Sequence, residues 1–257
     1  MKKNSEIILT TSLHDPENRQ LAAAKELLAE LSQFYCAICV SVTDGTSSEF
    51  ITFLEENNIT YNQSKRSIGE GRREALSLAL QHEGKYVQYC DFDRILHWIK
   101  KFPKELTSLP SVLINSDFLI LGRTKRAYST HPEVQQVTEN ISNMAFSIAY
   151  GKNADVTAGS CAMTRETAET LLNESTADIN DTDTEWPMIA LEKDKRVKYL
   201  QTEGLEFETP DYFQHEINEA GSLENWVEKT YDKPVMWKYR TKMTEESVKQ
   251  VKKRSTT

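Results

Sequence analysis

The sequence predicts an α/β fold: a mostly parallel sheet flanked by helices, continued into a smaller mixed half toward the C-terminus. Three observations predict it. Short apolar, β-branched runs alternate with helical patterns in the order β-α-β-α-β-α-β up to about residue 98, the signature of a parallel sheet with right-handed crossovers. The polar residues after these runs, namely Asp44, the loop holding Gly69 and Gly71, and the pair Asp91 and Asp93, fall at carboxyl ends of strands, where open α/β sheets bind ligands. Composition is that of an ordinary globular chain, 39% hydrophobic and 27% charged over 257 residues, ample for one large core or two small ones.

Residues 6–11 read as the first strand. Asp15 and Pro16 then suit an N-cap and first helical position, and a helix to about residue 34 carries Leu21, Ala24, Leu28 and Leu31 on one face. Residues 37–42 form a second strand that ends in the turn chemistry of Thr43, Asp44 and Gly45. Ser48 reads as the cap of a helix closed by Asn57 and Asn58, and residues 59–62 make a third strand. A glycine-bearing loop at 67–71 feeds the next helix, and the aromatic run 85–90 is a buried strand.

Downstream the alternation loosens. The expected elements are a strand at 117–121, a helix at 132–150, a strand at 155–163, helices at 165–172 and 181–191, and two strands around Gly204 within 197–208. The cluster from Arg123 to Arg126 reads as an exposed loop, and the polar stretch from Thr244 as a solvated helix end. The whole is taken as one domain, with a half at 1–115, a second half at 116–240 and a polar tail at 241–257.

The aspartates close the fourth strand with one residue between them. Two carboxylates so close repel unless a cation or donors lie between them. Such a pair suits a hard divalent ion, Mg²⁺ or Mn²⁺, which takes one or two carboxylates and completes its shell with water and phosphate oxygens. The bland reading is a solvated turn. Arg72 and Arg73, opening the third helix, suit bidentate contact with phosphate or plain solvation.

A net charge of −8 argues against a nucleic-acid-coating surface. The apolar stretch near the N-terminus is too short for an export signal, and no run nears the ~20 residues of a spanning helix, so a cytoplasmic protein without a transmembrane segment is expected. Four cysteines make no disulfide framework. Cys36 and Cys39 have redox-motif spacing but sit inside an apolar strand, and read as buried thiols.

Thr43-Asp44-Gly45-Thr46-Ser47, Gly71-Arg72-Arg73-Glu74-Ala75 and Gly84 through Asp91-Phe92-Asp93, in this order, resemble the glycosyltransferases of the GT-A fold, family 2-like, over about residues 6–98. The resemblance implies a Rossmann-like nucleotide-binding half and a metal-dependent transfer of a hexose from a UDP- or GDP-sugar to a hydroxyl acceptor. Asp44 would read the base, Arg72, Arg73 and Asp91 would serve the donor, and Asp91 and Asp93 would hold the metal. More faintly, Ala158-Gly159-Ser160 is similar to the segment lining donor sugar and acceptor. Asp183 and Glu185 fall where an acidic base is often found; helix capping is their bland reading. His215 falls where some members supply a metal ligand. Arg94 and the following Ile95-Leu96-His97-Trp98 depart from the usual continuation, so the acceptor is left open, as is a homo-oligomer. A haloacid-dehalogenase-type phosphohydrolase, with Asp91 as nucleophile, and a non-catalytic nucleotide- or carbohydrate-binding module of the same fold stand as alternatives.

Overall fold

The computed structural model describes residues 6–255; the expectations for the first five residues and for the last two lie outside it. In chain order the elements are β1 (Ile7–Leu13), α1 (Leu21–Phe34), β2 (Ala37–Thr43), α2 (Ser48–Glu56), β3 (Thr60–Ser64), α3 (Ile68–Ala79), β4 (Tyr86–Cys90) and α4 (Phe92–Lys101). Then come two short helices, α5 (Pro103–Leu106) and α6 (Leu109–Leu113), followed by β5 (Phe118–Arg123), α7 (Lys125–Ser129), α8 (Glu133–Tyr150), β6 (Ser160–Thr164), α9 (Arg165–Glu174), α10 (Thr182–Glu192) and β7 (Val197–Thr202). A 3₁₀ turn (Thr209–Tyr212), α11 (Gln214–Ala220), α12 (Leu223–Thr230) and α13 (Pro234–Arg254) complete the chain.

The strands form one seven-stranded sheet in the order β3-β2-β1-β4-β6-β5-β7. The first four run parallel, so Leu13, Thr43, Ser64 and Cys90 end on one edge. β6 runs antiparallel between β4 and β5, and its first residue, Ser160, pairs with Cys90. That reversal brings the loop before β6 against the residues that leave β4. Helices cover both faces, as burying both sides of a parallel sheet requires. One layer packs Leu27, Phe50, Ile95 and Trp98 of α1, α2 and α4 against Leu9 and Val40; the other packs Ala75, Phe146, Ala168, Ile189 and Val251 against Ile8 and Val87.

Several expectations need correction. α1 starts at Leu21, not at Pro16, because Asp15 caps a preceding turn, accepting from the backbone N–H of Arg19 (2.9 Å) and Gln20 (2.8 Å). The strand expected at 155–163 is confined to Ser160–Thr164, and the chain after Thr202 forms no second strand. Arg123 is no loop residue: it ends β5 with its guanidinium wholly buried between Asp155 (2.7 Å) and Glu139 (2.8 Å). The polar tail is the end of a long helix, α13, whose Thr244, Ser247 and Val251 are buried. Cys36 and Cys39 are not joined to each other: Cys36 is half-buried, its thiol donating to Ile7 O (3.2 Å), and Cys39 is buried, its thiol pushed up to about 12 by burial. Among the described residues no helix is long and apolar enough to cross a membrane.

Candidate functional site

Asp91 leaves β4 at the common carboxyl edge and opens α4, which puts Asp93 in that helix's first turn. Asp91 accepts from the hydroxyl of Tyr89 (2.8 Å) and from Arg72 Nη2 (3.2 and 3.3 Å), and Arg94 Nε lies 3.6 Å away. Arg72 is buried on the second turn of α3 and also donates to Asp183 and to Thr182 Oγ1 (2.6 Å) on α10. One guanidinium thus joins elements more than 100 residues apart in sequence. Facing Asp91 is Gly159, at φ +61°, where a Cβ would stand 2.3 Å from Asp91 Oδ2; only glycine lets the backbone approach so closely.

Two carboxylates here, Asp93 and Asp183, are held far from their solution behaviour. Burial, with Glu208 and Asp91 adding repulsion, pushes Asp93 up to about 7 although Arg94 opposes it. Asp183 is pushed up to about 6, again chiefly by burial, with Arg72 pulling the other way. Glu208 is buried, one of its oxygens 3.9 Å from Arg94 and the other without a hydrogen-bond partner. Asp91, Asp183, Arg94 and Gly159 border a pocket of about 270 Å³. Its far walls come from α8 and α13 and carry the hydroxyls of Thr138, Ser142, Thr244 and Ser247 beside the Glu139–Arg240 ion pair (3.1 Å).

Asp44 lies exposed on the turn after β2, its N–H donating to Ser64 O (3.0 Å). Beside that turn stands His14, Nδ1 2.6 Å from Thr43 Oγ1. The other sequence candidates are placed elsewhere. Glu185 is fully buried behind the rim, taken up by Ser175 (2.6 Å), the N–H groups of Thr176 and Ala177, and Arg254 (3.3 Å). Two residues on a helix turn a side chain by ~200°, so Asp183 and Glu185 cannot both face the cleft. Arg73 donates to the carbonyl of Ala177, tying α3 to the loop before α10. His215 is 82% exposed on α11, its imidazole 3.6 Å from Glu219.

Among the described residues no three His, Cys, Asp or Glu side chains converge as a metal-holding group. Asp91 and Asp93 still suit a hard cation whose shell is filled by water and phosphate oxygens, since the donors are all oxygens, Gly159 leaves room before Asp91, and Glu208 keeps a buried oxygen without a partner. Glu208 and Arg94 escaped the sequence reading. Glu208 sits in an irregular stretch with no motif about it, and the sequence marks Arg94, next to Asp93, only as a departure from the usual continuation.

No protein-family model and no curated protein matches the chain. Solved structures do. Glucosyl-3-phosphoglycerate synthase from Mycobacterium tuberculosis is similar over 77% of this chain and 72% of that one, with 13% identity and a TM-score of 0.53. The same enzyme in complex with Mn²⁺, UDP-glucose and phosphoglyceric acid gives 0.51 at 12% identity, over 77% and 70% of the two chains. A further mycobacterial protein gives 0.54 at 10% identity, over 77% and 67%. The chain therefore has the GT-A fold, that of nucleotide-sugar glycosyltransferases.

Proposed function

We propose that the protein is a metal-dependent glycosyltransferase that moves a hexose from a nucleoside-diphosphate sugar, UDP- or GDP-linked, to a hydroxyl acceptor. The observation that carries this reading is the constellation at the end of β4: Asp91 gripped by Arg72 and Tyr89 opposite Gly159, with Asp93 in the next turn and Asp183 across a polar pocket. The solved Mycobacterium tuberculosis enzyme of this fold, bound to Mn²⁺ and UDP-glucose, supports it.

In this reading Asp44 contacts the base, and Asp91 and Asp93 hold Mn²⁺ or Mg²⁺ with the donor's diphosphate. A divalent cation there supplies Lewis-acid stabilisation to the departing diphosphate. Arg72 fixes the Asp91 carboxylate and neutralises part of the acidic rim. The acceptor occupies the pocket under α8 and α13, whose hydroxyls and paired charges suit a small polyhydroxylated molecule. In an inverting transfer, Asp183 takes the proton of the attacking hydroxyl as its oxygen bonds to the anomeric carbon and the diphosphate leaves with its bonding electrons. A carboxyl near 6 is better matched to that task at neutral pH than one at its solution value. A retaining transfer has no need of this base. Glu185, Arg73 and His215 are given no part.

Calorimetric titration with UDP, GDP, ADP and their sugar conjugates, with and without Mn²⁺, tests the reading. One nucleotide should bind only with metal, and Asp93→Ala should abolish that binding. Metal-independent binding, or none to any nucleotide, rejects it. Donor binding with no transfer or hydrolysis across many acceptors would instead identify a binding module.

A further inference from the structure

Helix α8 has two faces with different surroundings. Val134, Thr138, Ser142 and Phe146 are buried against the rest of the molecule, while Val137, Ile141, Met144 and Ile148 stand in solvent, 44%, 50%, 59% and 83% exposed. Their spacing of four, three and four residues is the d-a-d-a seam of a two-helix contact. Exposed apolar residues scattered singly need no explanation, but a contiguous stripe marks an interaction surface.

The stripe is self-complementary. Laid antiparallel to its own copy about a twofold axis through its middle, it sets Val137 against the partner's Ile148 and Ile141 against the partner's Met144. The same alignment sets Glu133, in the helix's first turn, against the partner's Lys152, just beyond the C-cap Gly151. Opposite charges meet at both ends of the seam, and the two helix dipoles oppose. A parallel arrangement would bring Glu133 against Glu133 and Lys152 against Lys152. Met144 and Ile148 also wall a groove of about 710 Å³ that reaches Tyr199 of β7, so there is room beside the seam for the side chains of a second copy.

We propose that the protein forms a twofold homodimer through antiparallel packing of α8. Each copy presents the same patch, which is what an isologous interface requires. The inference is independent of the proposed chemistry, since none of these residues borders the cleft.

Sedimentation equilibrium on the full chain tests it. The wild type should be dimeric at about 100 µM, a concentration at which even a Kd near 10 µM populates the dimer. Ile141→Glu, which places two like charges in the middle of the seam, should weaken association at least 100-fold with an unchanged circular dichroism spectrum. Glu133→Lys and Lys152→Glu should each weaken it several-fold, and together restore it. A monomeric wild type, or a dimer indifferent to Ile141→Glu, overturns the proposal. Failure of the paired reversal to restore association overturns the antiparallel register.

Discussion

Arg72 is the residue on which the electrostatics of the cleft turn. Desolvating a guanidinium costs several kcal/mol unless partners return it, and Asp91, Asp183 and the face of Tyr89, 5.2 Å from its centre, do so. Arg72→Ala should therefore lower stability by ~3–5 kcal/mol, because it strands two partly buried carboxylates. Arg72→Lys should recover only part, since an ammonium cannot bridge both; urea unfolding of the two variants is the check. Asp93 makes the opposite prediction. Its folded value near 7 lies above its ordinary one, so the native state binds the extra proton and stability falls as pH rises from about 4 to about 7. Asp93→Asn should make the metal-free protein more stable than wild type above pH 7, with the difference vanishing below about pH 4; equal stability at pH 8 would contradict the burial argument. Asp91 and Asp93 were legible as candidates from residue type at the end of a strand; Asp183 came only through the resemblance, undistinguished from Glu185. That Arg72 would bridge Asp91 and Asp183 was not legible, because the partner lies 111 residues away.

At the scale of elements, the stretch 67–71 reads as a glycine-bearing loop, yet α3 already begins at Ile68. Ser67 and Glu70 form a reciprocal capping box at the start of α3, each side chain accepting from the other's backbone N–H (3.1 and 2.8 Å). Ser67→Ala should cost ~1 kcal/mol, measured by the same unfolding curves, and Ser67→Asp should leave stability nearly intact. The loop before β6 is a harsher case. At Gly159→Ala the new Cβ would meet Asp91 Oδ2 in a backbone conformation alanine resists. Nucleotide affinity should fall at least tenfold while the unfolding transition stays cooperative; unchanged affinity would mean that Asp91 is not part of the donor site. The strands of the first half were legible because periodicity and turn chemistry there agree, while helix starts slipped: α1 begins at Leu21 rather than at Pro16, and Ser47 rather than Ser48 caps α2. The second half was not legible, because its constraints are tertiary. Arg123 reads as a surface charge until α8 and the loop with Asp155 close around it. Nothing local marks residues 203–208 as irregular, yet Glu105 accepts the backbone N–H of Glu203 (2.8 Å) and Gly204 (3.0 Å), using donors that a strand would have paired.

Across the whole molecule, the segment from Glu203 to Tyr212 works as a strap that ties the C-terminal helices to the cleft. It carries Glu208 beside Asp93, and Tyr212 donates its hydroxyl to the Asp93 carbonyl (2.9 Å). A further part of its hold on α4 passes through His97, with Nδ1 2.7 Å from Asp211 and Nε2 3.1 Å from Glu206. Burial works against the imidazolium, but the two carboxylates outweigh it and raise His97 above its ordinary value. A raised histidine contributes stability that is fully present below its unfolded value, near 6.5, and is lost as pH rises through the folded one. Wild type should therefore exceed His97→Gln in stability most at about pH 6, and the gap should narrow as the solution becomes alkaline. Amide exchange locates the effect: corrected for intrinsic rates, protection across residues 205–213 should decline over the same pH range in the wild type and be low throughout in His97→Gln. Since Glu208 and Tyr212 ride on this strap, loosening it moves groups that set the charge around Asp93. Protection that stays flat from about pH 6 to about pH 9 would place the hold on the strap elsewhere, in Glu105 and in the His131 contact with Leu205 O (3.2 Å), neither of which requires a charged imidazole.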